Sequence, residues 1–339
     1  MRRVPLLLLP SMLAGCIVHS RQSALSPGGP QGHQLELLFW TFTGIGTAVW
    51  LAVVGFLLVG LLRRRRLART DASPDPLPHP EGEQRLRHAV IGSLVAAVIL
   101  LMGLIVADVV VGQRVNTPPG DGALTVRVTG HQWWWEVQYP GERPDQSVTT
   151  ANEIHVPIGR PVRFEIASTD VIHSFWFANL QGKKDLVPGY PTVTWFTATR
   201  AGTYIGQCAE FCGIQHAQMR LHLTAESDAS FERWLAAQAQ PARSPQTDSE
   251  AYGRDVFRAA ACATCHRIAG TDAGGTVGPD LTHVGSRPLL AGATLPNTRG
   301  HLAGWILDPQ RQKPGVRMPR NVFTPADLQA LLDYLQSLK

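Results

Sequence analysis

Residues 203–225 read TYIGQCAEFCGIQHAQMRLHLTA. The alternating runs TYIGQ and MRLHLTA predict two strands, and the loop between them carries Cys208, Cys212, His216 and Met219. Three chemistries compete for such a loop. A Cys208–Cys212 disulfide would close a very small ring, stabilise little, and leave the histidine and the methionine unexplained. Zinc takes two thiolates and two imidazoles, and His173, in DVIHSFW at residues 170–176, would supply the second ring. Zinc has no need of a thioether, however, and Met219 is the only methionine between residues 103 and 317. As an odd member of the alternating MRLHL run, Met219 would also serve as core filler. Copper wants thiolate, imidazole and a weak axial thioether on a β-sandwich loop. A one-copper loop needs one cysteine. Two thiolates can bridge two copper ions, one imidazole on each, with Met219 and a backbone carbonyl as weak ligands.

The same period-two pattern continues upstream. LTVRVTG (124–130), NEIHVPIG (152–159), PVRFEIAS (161–168) and TVTWFTAT (192–199) alternate between breaks rich in Gly, Pro and Asn. Short strands so spaced predict an all-β sandwich or Greek-key barrel over residues 116–234. Residues 235–249, LAAQAQPARSPQTDS, shift to Ala, Gln, Pro and Ser and read as a linker. After it the spacing of apolar residues becomes helical, in AYGRDVFRAAACATCH and in TPADLQALLDYLQSLK. Thr324 before Pro325, with Asp327 three residues on, marks a helix start.

The N-terminal part is different in kind. Residues 1–16 have a basic start, a short apolar stretch and the ending Leu13-Ala14-Gly15-Cys16, the pattern of an export signal. That ending resembles bacterial lipoprotein signals, in which the cysteine becomes the lipidated N-terminus. Residues 37–62 carry no charge, and residues 89–111 carry only Asp108. Each is long enough to cross a bilayer core of ~30 Å, which predicts a two-helix transmembrane hairpin over residues 35–112. Arg63, Arg64, Arg65, Arg66, Arg69, Arg85 and Arg87 put the connecting segment on the cytoplasmic side. Everything after residue 116 then faces outward. The 339-residue chain has a formal charge of +5, owed mostly to those arginines, and no basic, aromatic-laced patch suggests nucleic acid.

Five cysteines are too few for a disulfide scaffold. Two of them stand in Cys262-Ala-Thr-Cys265-His266, the pattern of covalent haem attachment. His266 would lie under the iron. Met318, in GVRMP, is the only methionine after residue 265 and the candidate sixth ligand; Met/His ligation suits electron transfer. His283 and His301 are its rivals. With GPDL at residues 278–281 and a closing helix, residues 250–339 resemble class I cytochromes c. The resemblance implies a small all-α domain with Pro279 packed beside His266.

Residues 35–235 in turn resemble subunit II of the haem–copper cytochrome c oxidases. The resemblance rests on GHQWWW at 130–135, DVIHSFW at 170–176, GKKDLVPG at 182–189 and CAEFCGIQHAQM at 208–219. It implies a membrane hairpin bearing a cupredoxin domain with a dinuclear copper centre, held by His173, Cys208, the carbonyl of Glu210, Cys212, His216 and Met219. It also implies that the Glu210 side chain helps bind magnesium at the boundary with the catalytic subunit. Trp133 would be the residue through which electrons reach copper, with Trp134 a second candidate, although core or interface packing also accounts for the tryptophans. Asp185 matches an acidic residue near the copper domain. Related subunits often place a glutamate before a tryptophan at the start of the second span, as part of a proton path. EGEQRLRHAVIG at 81–92 has no tryptophan, and Glu83 is the nearest candidate.

The chain as a whole resembles bacterial oxidases with a tethered cytochrome c. The expected route runs from an external donor (cytochrome c or a quinol–cytochrome c reductase) to haem c, then to copper, then to the catalytic multi-span haem–copper subunit that reduces oxygen and pumps protons. The linker is expected to let the haem domain reach the Trp133 face. Alternatives are the copper-bearing subunit of a nitric oxide reductase, and a membrane-anchored carrier with no catalytic partner. The expected location is the bacterial inner membrane, with both redox domains on the periplasmic side.

Overall fold

A computed structural model describes residues 21–67, 80–120, 122–143 and 146–339. The predicted signal, with Cys16, and residues 71–79 of the Pro-rich connection lie outside the described residues. The described residues form two compact units, one within residues 34–117 and one comprising the other described residues.

The first unit consists of two helices, α1 (Pro30–Leu67) and α2 (Pro80–Asn116). At ~1.5 Å per residue, each exceeds a ~30 Å bilayer core. Their most apolar windows have mean hydropathies of 2.4 and 2.9, and apolar side chains are exposed all round, as expected of a helix solvated by lipid. Both helices overrun the apolar stretches. Prolines at the first helical position permit early starts, and Arg64, Arg65 and Arg66 suit the negative end of the α1 dipole.

The second unit begins with an all-β domain. Its strands are β1 (Leu124–His131), β2 (Trp134–Tyr139), β3 (Val148–Ala151), β4 (Glu153–Pro157), β5 (Val162–Ser168), β6 (His173–Trp176), β7 (Lys184–Leu186), β8 (Thr192–Phe196), β9 (Gly202–Cys208) and β10 (Arg220–Glu226). They form two five-stranded sheets, ordered β3-β2-β1-β5-β8 and β4-β10-β9-β6-β7. Alternation buries Val162, Phe164 and Ile166 of β5 and Leu221, Leu223 and Ala225 of β10 in the shared core. β9 and β10 pair antiparallel, with Arg220 opposite Gln207. The cysteine loop therefore closes the end of a central hairpin. Residues ahead of the membrane helix are laid along this domain: Gly28 N–H donates to Asn179 O (2.7 Å), and Thr199 N–H donates to Gly28 O (2.8 Å).

Helix α3 (Asp228–Gln238), capped by Ser227, absorbs the first residues of the expected linker. The remainder of that segment is laid on the domain that follows. Ala242 N–H donates to Ala269 O (2.9 Å), and Arg243 Nε donates to Ser337 O (2.9 Å). The C-terminal domain comprises α4 (Asp248–Ala259), a 3₁₀ turn at Cys262–Thr264, the short β11 (Leu289–Leu290) and β12 (Leu295–Pro296), α5 (Arg299–Leu307), α6 (Pro309–Gln312) and α7 (Pro325–Ser337). α4 and α7 cross at Gly253, where an added Cβ would lie only 1.9 Å from Ala330 O. Only glycine lets two helix backbones approach so closely. Thr324 caps α7 as its sequence predicts, its Oγ1 accepting from Asp327 N–H (3.2 Å) and donating to the Asp327 carboxylate (2.8 Å).

Removing this cap in Thr324→Ala should lower the opening free energy of α7 by about 1 kcal/mol, read by hydrogen exchange of its amides. Unchanged exchange would contradict the capping role.

Candidate functional site

The hairpin end brings all six predicted copper-site residues together, with Cys208 and Cys212 supplying the two central sulfurs. Cys208 is the last residue of β9, His173 the first of β6, and Met219 lies just before β10. The Cys208 and Cys212 sulfurs are 3.7 Å apart, far beyond the ~2.05 Å of a disulfide, and both cysteines are free. His173 Nδ1 lies 3.8 Å from the Cys208 sulfur, and the Glu210 carbonyl oxygen lies 3.2 Å from it. On the other side, His216 Nδ1 and Met219 Sδ lie 3.7 and 3.8 Å from the Cys212 sulfur. The donor atoms of His173, Cys208 and Cys212 all fall within 4.8 Å of one another, and these residues and Met219 are buried. Soft sulfur and imidazole donors, with a thioether and a carbonyl at the margins, suit copper better than zinc.

The electrostatics agree with a site built for cations. Hydrogen bonding from Cys212 outweighs burial and draws the Cys208 thiol well below the usual thiol range, while the same contact and burial push Cys212 up. Two adjacent thiolates repel, so one proton stays behind. Burial disfavours charge on His173, but Cys208 and Asp170 outweigh it and raise its pKa.

Asp170 was not singled out by the sequence. Its carboxylate lies 2.8 Å from His173 Nε2 and accepts from the Gln132 and Val171 amides at 2.7 and 2.8 Å. With its proton held on Nε2, His173 turns Nδ1 toward the sulfurs. The signal was present, an acidic residue three before the histidine in DVIHSFW, but nothing in that spacing distinguishes it from a turn carboxylate.

The three consecutive tryptophans have three fates. β1 and β2 pair with His131 opposite Trp134, which leaves Gln132 and Trp133 in the tight turn. Trp133 is buried, and its indole N–H donates to the Cys212 carbonyl at 2.9 Å. Gln132 Nε2 donates to the same oxygen at 2.8 Å. Trp134 stacks on His131, with ring centroids 4.3 Å apart. Trp135 is wholly buried in the core.

Trp133 and Trp134 also line a cavity of about 350 Å³ in the C-terminal domain, together with Cys262, Cys265, His266 and Met318. His266 Nδ1 donates to the Pro279 carbonyl at 2.7 Å, leaving Nε2 free for a metal. Gly278 lies against the ring, where a Cβ would be 2.6 Å from Cε1. The two rivals of Met318 are elsewhere: His283 Nε2 donates to Gln240 O at 3.0 Å, and His301 is tied to Thr298 at 2.8 Å. Neither lines the cavity. Two cysteines, an oriented imidazole and a thioether around one apolar space fit a haem.

Glu210 sends its carboxylate to the surface, 2.9 Å from Lys183, which is also 3.5 Å from Asp185. Lys313 is a further residue that sequence reasoning missed. It is buried, its Nζ donates to the Trp133, Gln218 and Ala291 carbonyls at 2.8, 3.0 and 3.3 Å, and burial pulls its pKa down to about 7.

Buried paired thiols beside a second, cysteine- and imidazole-lined cavity describe an electron-transfer protein. Residues 141–226 match the family described as cytochrome c oxidase subunit II, periplasmic domain. Residues 250–339 match cytochrome c. The chain is 33% identical over 340 residues to cytochrome c oxidase subunit 2 of Alkalihalophilus pseudofirmus, covering 100% of this chain and 97% of that one. It is 28% identical over 356 residues to the Bacillus subtilis subunit 2, covering 98% and 96%. A crystal structure of the periplasmic domain of subunit II of cytochrome oxidase from Bradyrhizobium japonicum is 31% identical, covers 36% of this chain and 95% of that one, and has a TM-score of 0.33. The chain belongs to the cytochrome c oxidase subunit 2 family. The first match implies copper and the second haem.

Asp170→Asn keeps the side-chain shape and removes the charge that orients His173. Copper affinity should fall roughly 10–100-fold, measured by competitive copper titration of the purified protein. Unchanged affinity would contradict the orienting role.

Proposed function

We propose that this chain is the electron-input subunit of an oxygen-reducing haem–copper oxidase. Electrons from an external donor enter at a covalent haem c in residues 250–339 and leave through a dinuclear copper centre in residues 116–234. The observation that carries this reading is that Trp133 lines the haem-sized cavity while its indole bonds the Cys212 carbonyl. His173, Cys208, the Glu210 carbonyl, Cys212, His216 and Met219 would hold two coppers; Cys262, Cys265, His266 and Met318 would hold the haem. These groups supply one-electron chemistry when bound. The protein's part is to bury them, orient His173 and His266 through Asp170 and Pro279, and offer Trp133 as the bridge.

Residues 35–112 would anchor the chain in the bacterial inner membrane, with both domains on the periplasmic side. Oxygen reduction and proton pumping would belong to a catalytic partner. Its covering surface is suggested beside the copper loop, where Ile172, Val187, Tyr190 and Phe211 are exposed. Glu210 reaches the same region, and magnesium at that boundary would take its carboxylate from Lys183.

Cys212→Ser removes one of the two thiols that would hold the copper, without enlarging the site. In the purified oxidase, oxygen uptake with the natural donor should fall to background while haem reduction by that donor persists. Wild-type oxygen uptake in this variant would overturn the reading.

A further inference from the structure

The copper and haem domains are joined by more than the linker. Arg220 N–H donates to Gly292 O (3.1 Å), Gln215 Nε2 donates to Pro314 O (2.8 Å), and buried Arg287 lies 3.6 Å from Glu153. At the centre of this face is Lys313, only 2% exposed. An ammonium has three N–H bonds and no acceptor, and Lys313 meets three carbonyl oxygens. Two of them, on Trp133 and Gln218, belong to the copper domain. The burial of Lys313 is thus a property of the docked arrangement.

Its place in the chain gives that arrangement a use. Lys313 opens the loop that reaches Met318, and Gln310 braces this loop by donating to the Val316 and Met318 carbonyls at 2.7 and 2.9 Å. Gln218 directly precedes Met219, and Trp133 donates to Cys212 O. One side chain therefore keys the Met318 loop to the loop that carries the two cysteines.

We propose that Lys313 is a positioning residue for electron transfer within the chain, a buried hydrogen-bonding clamp that holds the haem domain on the copper domain in one fixed arrangement. The proposal rests on the electron-input reading. It gives the tether a different meaning: the internal donor is seated on Trp133, and an external donor must deliver to the haem domain because the Trp133 face is already covered. Electron transfer slows steeply with added distance, so a fixed seat matters more than a long reach.

Lys313→Met keeps the length of the side chain, removes its donors and strands two carbonyls inside the interface. In the detergent-purified full complex, residues 289–292 and 213–218 should lose hydrogen-exchange protection. Haem-to-copper electron transfer, followed after rapid reduction of the haem, should slow on the order of tenfold or more. Reduction of copper by a small artificial reductant should keep its wild-type rate. Retained protection overturns the clamp, and lost protection with an unchanged internal rate overturns the positioning role. The electron-input reading is judged separately, on the wild-type copper content. Should the variant fail to fold, pulsed dipolar spectroscopy of the oxidised wild type decides: a narrow distance from the iron of residues 250–339 to the copper of residues 208–219 supports the clamp, and a broad distribution of that distance overturns it.

Discussion

Two buried sulfurs 3.7 Å apart, with no bond between them, set the terms for this molecule. Two thiolates ~4 Å apart repel by roughly 4 kcal/mol at an effective dielectric of about 20. Without cations the pair keeps a proton, which is why Cys208 is drawn down and Cys212 pushed up. Metal charge between them removes the conflict. The fold supplies what such a metal needs: two strands fix the ends of the loop, a third brings His173 from a distant part of the sequence, and the core buries the sulfurs. Sharing one electron over two metals, as proposed, would also spread the change in charge, so each transfer would disturb the surroundings less.

The haem domain is best understood through the same loop. A flexible tether raises the effective concentration of a donor, but residues 239–247 do not hang free. They are bonded along the haem domain, and that domain covers the turn containing Trp133. Trp133 stands between the two, its carbonyl accepting from Lys313 and its indole donating to Cys212 O. The geometry describes a seated donor.

Residues that carry unusual chemistry were legible in the sequence. Met219 stood out because methionine is scarce here and no zinc site needs a thioether, and CATCH announced itself by spacing. Long alternating strands were legible too, since burial on one face imposes period two. The short β3, β6 and β7 were not, because three or four residues carry too little periodicity. The tryptophan run was ambiguous for a related reason. Whether an indole enters a core, a turn or a cavity depends on where a hairpin reverses, and the reversal falls between His131 and Trp134. Asp170 and Lys313 were invisible as functional residues. The spacing of Asp170 from His173 is that of any turn carboxylate, the Trp133 partner of Lys313 lies 180 positions away, and a lysine beside Pro314 and Gly315 reads from sequence as a solvated loop.

The central claim is that one loop of this chain holds two coppers as a unit. Copper and iron counts on this subunit separated from its catalytic haem–copper partner, with electron paramagnetic resonance of its centre, test it most directly. The account predicts two coppers and one haem per chain, with a single unpaired electron shared between two equivalent copper nuclei. One copper with an unshared electron, or zinc in its place, would contradict it.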